Sequence, residues 1–179
     1  MAKESAQKKK MDMQTMMEVY QELATPGPPH QLLAGMTGSW DVRSSCSMEP
    51  GKPPMESTGT SEQTMILGGR FLQQEFSGDL MGSPFTGIGA VGYDNHTGKY
   101  VSTWMDTMGN GIYYFEGTAS ADGKTITQKS KYDDPVQGPV EWRSVTRIVN
   151  DDTLEFEMYS IDQSGNEQKM AKMTYTRKK

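Results

Sequence analysis

Tyr93-Asp94-Asn95-His96-Thr97-Gly98-Lys99-Tyr100-Val101-Ser102-Thr103-Trp104-Met105-Asp106 reads as a tight turn feeding a β-strand. Asp and Asn bond their own backbone in turns, and Gly takes positive φ without strain. From Lys99 onward successive side chains point to opposite faces, so Tyr100, Ser102, Trp104 and Asp106 share one side. A Trp and a carboxylate on one face suit the lining of a cavity better than a plain core.

The same punctuation recurs on both sides of this stretch. Gly68-Gly69, Gly109-Asn110-Gly111, Asp122-Gly123 and Ser164-Gly165-Asn166 mark reversals, and Asp134-Pro135 with Gly138-Pro139 brackets a longer loop. Between them the pattern predicts strands near 39–48, 55–67, 70–80, 85–94, 99–108, 111–120, 124–132, 139–149, 153–161 and 167–177. Ten antiparallel strands with short connections and no helical crossover form a meander. A meander of that length closes on itself, because closure removes its exposed edges. The fold class is therefore all-β: one antiparallel up-and-down barrel.

Register can be read in one hairpin. Pairing Val149 with Thr153 sets Ile148 against Leu154, Thr146 against Phe156, Ser144 against Met158 and Trp142 against Ser160. Arg147 then faces Glu155 on the other side, as an outer pair worth only ~0.2–1 kcal/mol. A one-residue slip destroys the sorting. Trp142, Phe156 and Met158 are accordingly assigned inward. Phe85, Gly87, Gly89 and Val91 share a face of a strand rich in small residues, which points to strong bending or to close approach of a ligand.

Ahead of the barrel the chain changes character. Residues 1–10 are rich in Lys and Gln and read as disordered. From Asp12 the apolar residues Met13, Met16, Met17, Tyr20 and Leu23 fall at helical spacing, and this stripe is expected to pack on the domain's own surface. Thr25-Pro26-Gly27-Pro28-Pro29 breaks that helix, and a second, short helix fits His30 to Met36. The expected organisation is a tail, amphipathic helix and Pro/Gly linker over 1–27, then a barrel domain over 28–179.

A chain of 179 residues suffices for one well-cored domain. A net charge of -5 argues against nucleic acid, which needs a basic face. No apolar run reaches the ~18 residues that span a membrane, and the basic start lacks the apolar core of a secretory signal. One cysteine, Cys46, excludes an internal disulfide and reads as a structural thiol in a reducing, cytoplasmic setting.

Catalytic signatures are sparse. Asp94 with His96 and Asp133-Asp134 fall short of the ligands a metal site needs. Acid/base work requires an inward carboxylate, for which Glu75, Asp106 and Glu116 are the candidates. No nucleophile elbow, phosphate loop or dinucleotide fingerprint occurs. Ligand binding remains: Trp104, Tyr114, Trp142, Phe156 and Met158 as walls, with Asp106 and Arg143 as polar anchors.

Gly92-Tyr93-Asp94, Tyr100 to Asp106, Glu116-Gly117-Thr118, Arg147 to Asp152, Phe156 to Tyr159 and Thr174 to Arg177 together resemble the bacterial "domain of unknown function 1579" family. His30-Gln31-Leu32-Leu33 followed by Gly38-Ser39-Trp40 also fits, so the resemblance spans roughly residues 28–177. The Gly-x-Trp is similar to the opening of calycin-type barrels: lipocalins, fatty-acid-binding proteins and haem-binding nitrobindins. That resemblance implies that Trp40 packs across a closed barrel end, capped by the helix from His30. A nitrobindin-like haem would need an axial histidine from a late strand. The chain has only His30 and His96, in a helix and a turn, so no cofactor is expected.

The resulting reading is non-catalytic binding of a small, partly apolar molecule inside the barrel. The alternatives are a small barrel enzyme using an interior carboxylate, or an oligomeric module, such as a homodimer, docking through the Met-rich helix.

Overall fold

A computed structural model describes residues 12–47, 52–80, 82–134 and 138–179. The expected disordered tail at 1–10, the end of the first strand at 48 and the middle of the 134–139 loop lie outside the described residues. Two helices, α1 (Met13–Leu23) and α2 (Pro28–Gly35), precede ten strands. These are β1 (Gly38–Cys46), β2 (Met55–Ile66), β3 (Phe71–Leu80), β4 (Ser83–Asp94), β5 (Lys99–Asp106), β6 (Tyr113–Ala119), β7 (Thr125–Asp134), β8 (Gly138–Asn150), β9 (Thr153–Ile161) and β10 (Glu167–Arg177). Each strand pairs antiparallel with the next, and β1 pairs with β10 from Trp40↔Arg177 to Cys46↔Ala171, so the meander closes into a barrel.

The opening stretch forms the β4–β5 hairpin. Asp94 folds its turn: Oδ1 accepts the His96 N–H at 2.8 Å and Oδ2 accepts the Thr97 hydroxyl at 2.8 Å. The Thr97 hydroxyl, followed by the His96 amide, holds this exposed carboxyl below its ordinary range. Asp94 therefore serves turn geometry, and His96 contributes its backbone there.

One end of the barrel is packed solid. Trp40 and Leu33 are fully buried, with Val42, Leu72, Tyr100, Ile126, Leu154 and Tyr175 around them. The Trp40 indole N–H donates to the Met36 carbonyl at 3.2 Å, which ties β1 to the end of α2. Pro28 at the helix start has no N–H to waste, and His30 Nδ1 accepts the Gly27 N–H at 3.0 Å. Arg177 closes the base from the last strand. Its guanidinium carbon lies 4.1 Å over the Trp40 ring, and it donates to the carbonyls of Thr37 at 2.5 Å, Gly35 at 3.1 Å and Asp151 at 2.7 Å.

Expectations for the β8–β9 hairpin and for α1 need correction. The β8–β9 pairs Ile148↔Leu154 through Trp142↔Ser160 stand as read, but Thr153 pairs with Asn150 and Val149 is bulged out. The turn is tighter than expected: Asn150 Oδ1 accepts the Asp152 N–H at 2.9 Å, only Asp151 and Asp152 lie between the strands, and the extra residue is taken up in β8 as the bulge at Val149. Arg147 also passes over its opposite neighbour Glu155 and pairs with Glu157 at 2.5 Å, while Glu155 pairs with Lys172 at 3.0 Å.

The second correction concerns α1. None of its residues is buried, and Met13, Met17 and Tyr20 are exposed, because α2 and Trp40 already fill the barrel end. Asn95 holds the helix by its C-terminus, donating to the carbonyls of Leu23 at 2.8 Å and Thr25 at 2.9 Å. Among the described residues no helix is long and apolar enough to cross a membrane.

Candidate functional site

Beyond the packed end, the inward face changes in kind. Trp104, Tyr113, Tyr132, Trp142, Phe156, Met158 and Met173 all point into the barrel by register, yet all stay partly accessible. Water still reaches these inward side chains, so this half of the barrel interior, its lumen, is less tightly filled than the end around Trp40. The neighbouring inward positions are small and polar: Ser61, Ser102, Ser130, Ser144 and Ser160.

Trp104 is built into the wall. A Cβ at Gly87 would fall inside its indole, and one at Gly89 would lie 2.8 Å from it, so the ring lies flat on β4 in space that only glycine leaves open. Its N–H donates to Asp106 Oδ2 at 2.8 Å, and Asp106 Oδ1 accepts the Met108 N–H at 2.9 Å. Both carboxylate oxygens are therefore engaged in fixing the Trp and the strand end. Farther round, Tyr113 stacks on Trp142 with centroids 5.6 Å apart and planes 14° apart, and Tyr132 closes the group at 5.2 Å from Tyr113. Burial, followed by the neighbouring Tyr132, pushes the Tyr113 phenol above its ordinary range.

Of the residues singled out from sequence, Trp104, Asp106, Trp142, Phe156 and Met158 share this lumen. Tyr114 and Arg143 do not. Tyr114 is 52% exposed on the outer face, beside Glu116. Arg143 also lies outside, because it adjoins the inward Trp142 and adjacent strand residues face opposite ways. It makes a two-pronged pair with Glu167 at 2.8 and 2.6 Å and sits 4.0 Å over Tyr159. Glu75 and Glu116 are outward as well, Glu116 pairing with Lys99 at 2.6 Å, so Asp106 alone of the three acid/base candidates faces the lumen.

One inward polar group that sequence reading did not single out is Gln128. It lies on the inward face of β7, only 6% exposed, and its Oε1 accepts the Ser102 hydroxyl at 3.0 Å. Its Nε2 has no partner. The signal was available in the parity of β7: Lys129, Lys131 and Asp133 are charged, so Ile126, Gln128, Ser130 and Tyr132 are the inward set.

The histidines fit no haem. His30 is buried in α2 against Tyr93, with ring centroids 6.0 Å apart, and His96 belongs to the β4–β5 turn at the packed end. Among the described residues no three His, Cys, Asp or Glu side chains group closely enough to hold a metal ion. Burial, then the Glu56 carboxylate, raises the Cys46 thiol above its ordinary range, which makes it a poor nucleophile.

The chain matches the family model "Protein of unknown function (DUF1579)" over residues 25–177. It belongs to the DUF1579 family. This DUF1579 chain is also similar to the crystal structure of Rv2717c from M. tuberculosis, at 18% identity and a TM-score of 0.65, over 87% of this chain and 100% of that one. The S-type phycobiliprotein lyase CPES from Guillardia theta is similar at 12% identity and a TM-score of 0.59, over 83% of this chain and 92% of that one. At these identities the likeness is one of fold. None of the curated proteins matches the chain.

Proposed function

We propose that this barrel binds, without transforming it, a small and partly apolar molecule in the lumen beyond Trp40. Trp104, Trp142, Phe156 and Met158 supply apolar walls, Tyr113 and Tyr132 complete them, and Asp106 holds Trp104 in place. Gln128 carries the reading. Whichever end of its amide faces Ser102, the other end is left unpaired, and an unpaired buried amide costs about 1–3 kcal/mol. A ligand with one complementary polar group recovers that cost, and the aromatic group beside it receives the apolar remainder. The acid/base alternative has lost Glu75 and Glu116 to the outer face, and Asp106 has both oxygens occupied.

The test combines native mass spectrometry with Gln128→Leu. Freshly purified wild type should carry a non-covalent mass that denaturation releases. Gln128→Leu should bind that compound at least about tenfold more weakly while unfolding at the same or higher denaturant, since the unpaired group is gone. A bare chain mass together with a less stable Gln128→Leu would make the amide a wall element and overturn the reading.

A further inference from the structure

The barrel wall has a seam between β6 and β7. β6 and β7 pair only from Glu116↔Lys129 to Ala119↔Ile126, although β6 starts at Tyr113 and β7 continues to Asp134. The flanking ladders keep going: β5 pairs β6 as far as Trp104↔Tyr113, and β7 pairs β8 as far as Asp134↔Gly138. Continuing the register would set Phe115 against Ser130, Tyr114 against Lys131 and Tyr113 against Tyr132, and none of these pairs forms. The strands are pressed together at Gly117, where a Cβ would overlap the Thr127 carbonyl oxygen, and they part beyond it.

A cleft of about 510 Å³ lies over the unpaired stretch. Its lining includes the outward Tyr114, Lys129 and Lys131, but also the inward Tyr113, Ser130 and Tyr132. The cleft therefore lies at the gap between β6 and β7, where no ladder hydrogen bond separates the two faces. What bridges it on the lumen side is the contact of the Tyr113 and Tyr132 rings at 5.2 Å. Side-chain rotation opens such a contact without disturbing a backbone hydrogen bond. The rim is fixed by the outer pairs Lys99–Glu116 and Lys129–Glu141, both at 2.6 Å.

We infer that ligand passes between solvent and lumen sideways, through the β6–β7 seam, with Tyr113 and Tyr132 as its gate. This rests on the lumen-binding reading above. Its test uses 1-anilinonaphthalene-8-sulfonate as probe and Tyr114→Cys/Lys131→Cys in a Cys46→Ser background, because a cross-link between those outward positions closes the seam without entering the lumen. Oxidation should slow both association and release in stopped flow by at least about tenfold and leave affinity within about twofold, since a gate acts equally in both directions. As a second variant, Tyr132→Ala should speed association, which loss of a mere wall contact would not do. Unchanged rates in the cross-linked protein, or an unchanged association rate in Tyr132→Ala, would overturn the seam as the route. No saturable binding by wild type would instead defeat the lumen reading, and the seam with it, before any variant is made.

Discussion

The outer face of the wall that carries Trp142, Phe156 and Met158 is clasped by one carboxylate, and its worth can be measured by titration. Glu157 is 7% exposed and takes Arg147 at 2.5 Å, the Tyr159 hydroxyl at 3.0 Å, and Lys169 from across the β-bulge in β10. Burial alone would raise its pKa; Lys169, Arg147 and Tyr159 outweigh burial and bring it from 4.5 to about 2. A carboxylate held lower in the folded than in the unfolded chain stabilises fully above the unfolded value, and that stabilisation is lost as pH falls from about 4.5 to about 2. A shift of that size corresponds to about 3.4 kcal/mol at 1.36 kcal/mol per unit. Arg147 and Lys169 are 40% and 47% exposed, so water screens them, and roughly 1.5–2 kcal/mol is the expected effect. Urea unfolding of wild type and Glu157→Gln at pH 7, 4.5, 3 and 2 isolates this group, because every other carboxylate titrates in both proteins. Wild type should lead by that amount at pH 7 and lose most of the lead by pH 2. A constant difference across the series, or Glu157→Gln as stable as wild type at pH 7, would refute the reasoning.

Gly87→Ala should push the Trp104 indole off β4, break its bond to Asp106 and cost about 1–3 kcal/mol; near-ultraviolet circular dichroism and Trp emission report the movement. The loss should be smaller in a Trp104→Phe background, and strict additivity of the two substitutions in urea unfolding would count against the cradle. Arg177→Lys should cost about 1–2 kcal/mol, because one ammonium cannot reach the carbonyls of Gly35, Thr37 and Asp151 together. Hydrogen exchange should then speed up in α2 ahead of β3 to β5, and uniform loss of protection would deny Arg177 its local role.

The barrel was legible because alternation and turn chemistry are local. A Gly or Asn at a reversal and a change of parity each act within a few residues, so strand limits such as 153–161 and 167–177 match to the residue. The face of a side chain was legible too, where parity was followed through. Trp142 inward already requires Arg143 outward, and a charged Glu116 on the solvent side requires Tyr114 beside it and Tyr113 within. Placing Tyr114 and Arg143 in the lumen broke that rule in favour of residue type. The bulge at Val149 turns on a hydrogen bond made by the Asn150 side chain, which spacing alone does not reveal.

What no local pattern contains is pairing across the lumen or between non-adjacent strands. Gln128 is polar in any register; that its amide is half-satisfied depends on Ser102, which lies two strands away in the barrel order. The glycines of β4 were assigned to bending or to ligand approach, yet the neighbouring strand's Trp104 occupies the space they leave. That changes what Asp106 is for. Trp104 rests against a wall without side chains, so the Asp106 carboxylate is what keeps its indole from turning into the lumen. Asp106 thus spends both carboxylate oxygens on the aromatic wall and the strand end, while the buried Gln128 Nε2 is left without a partner.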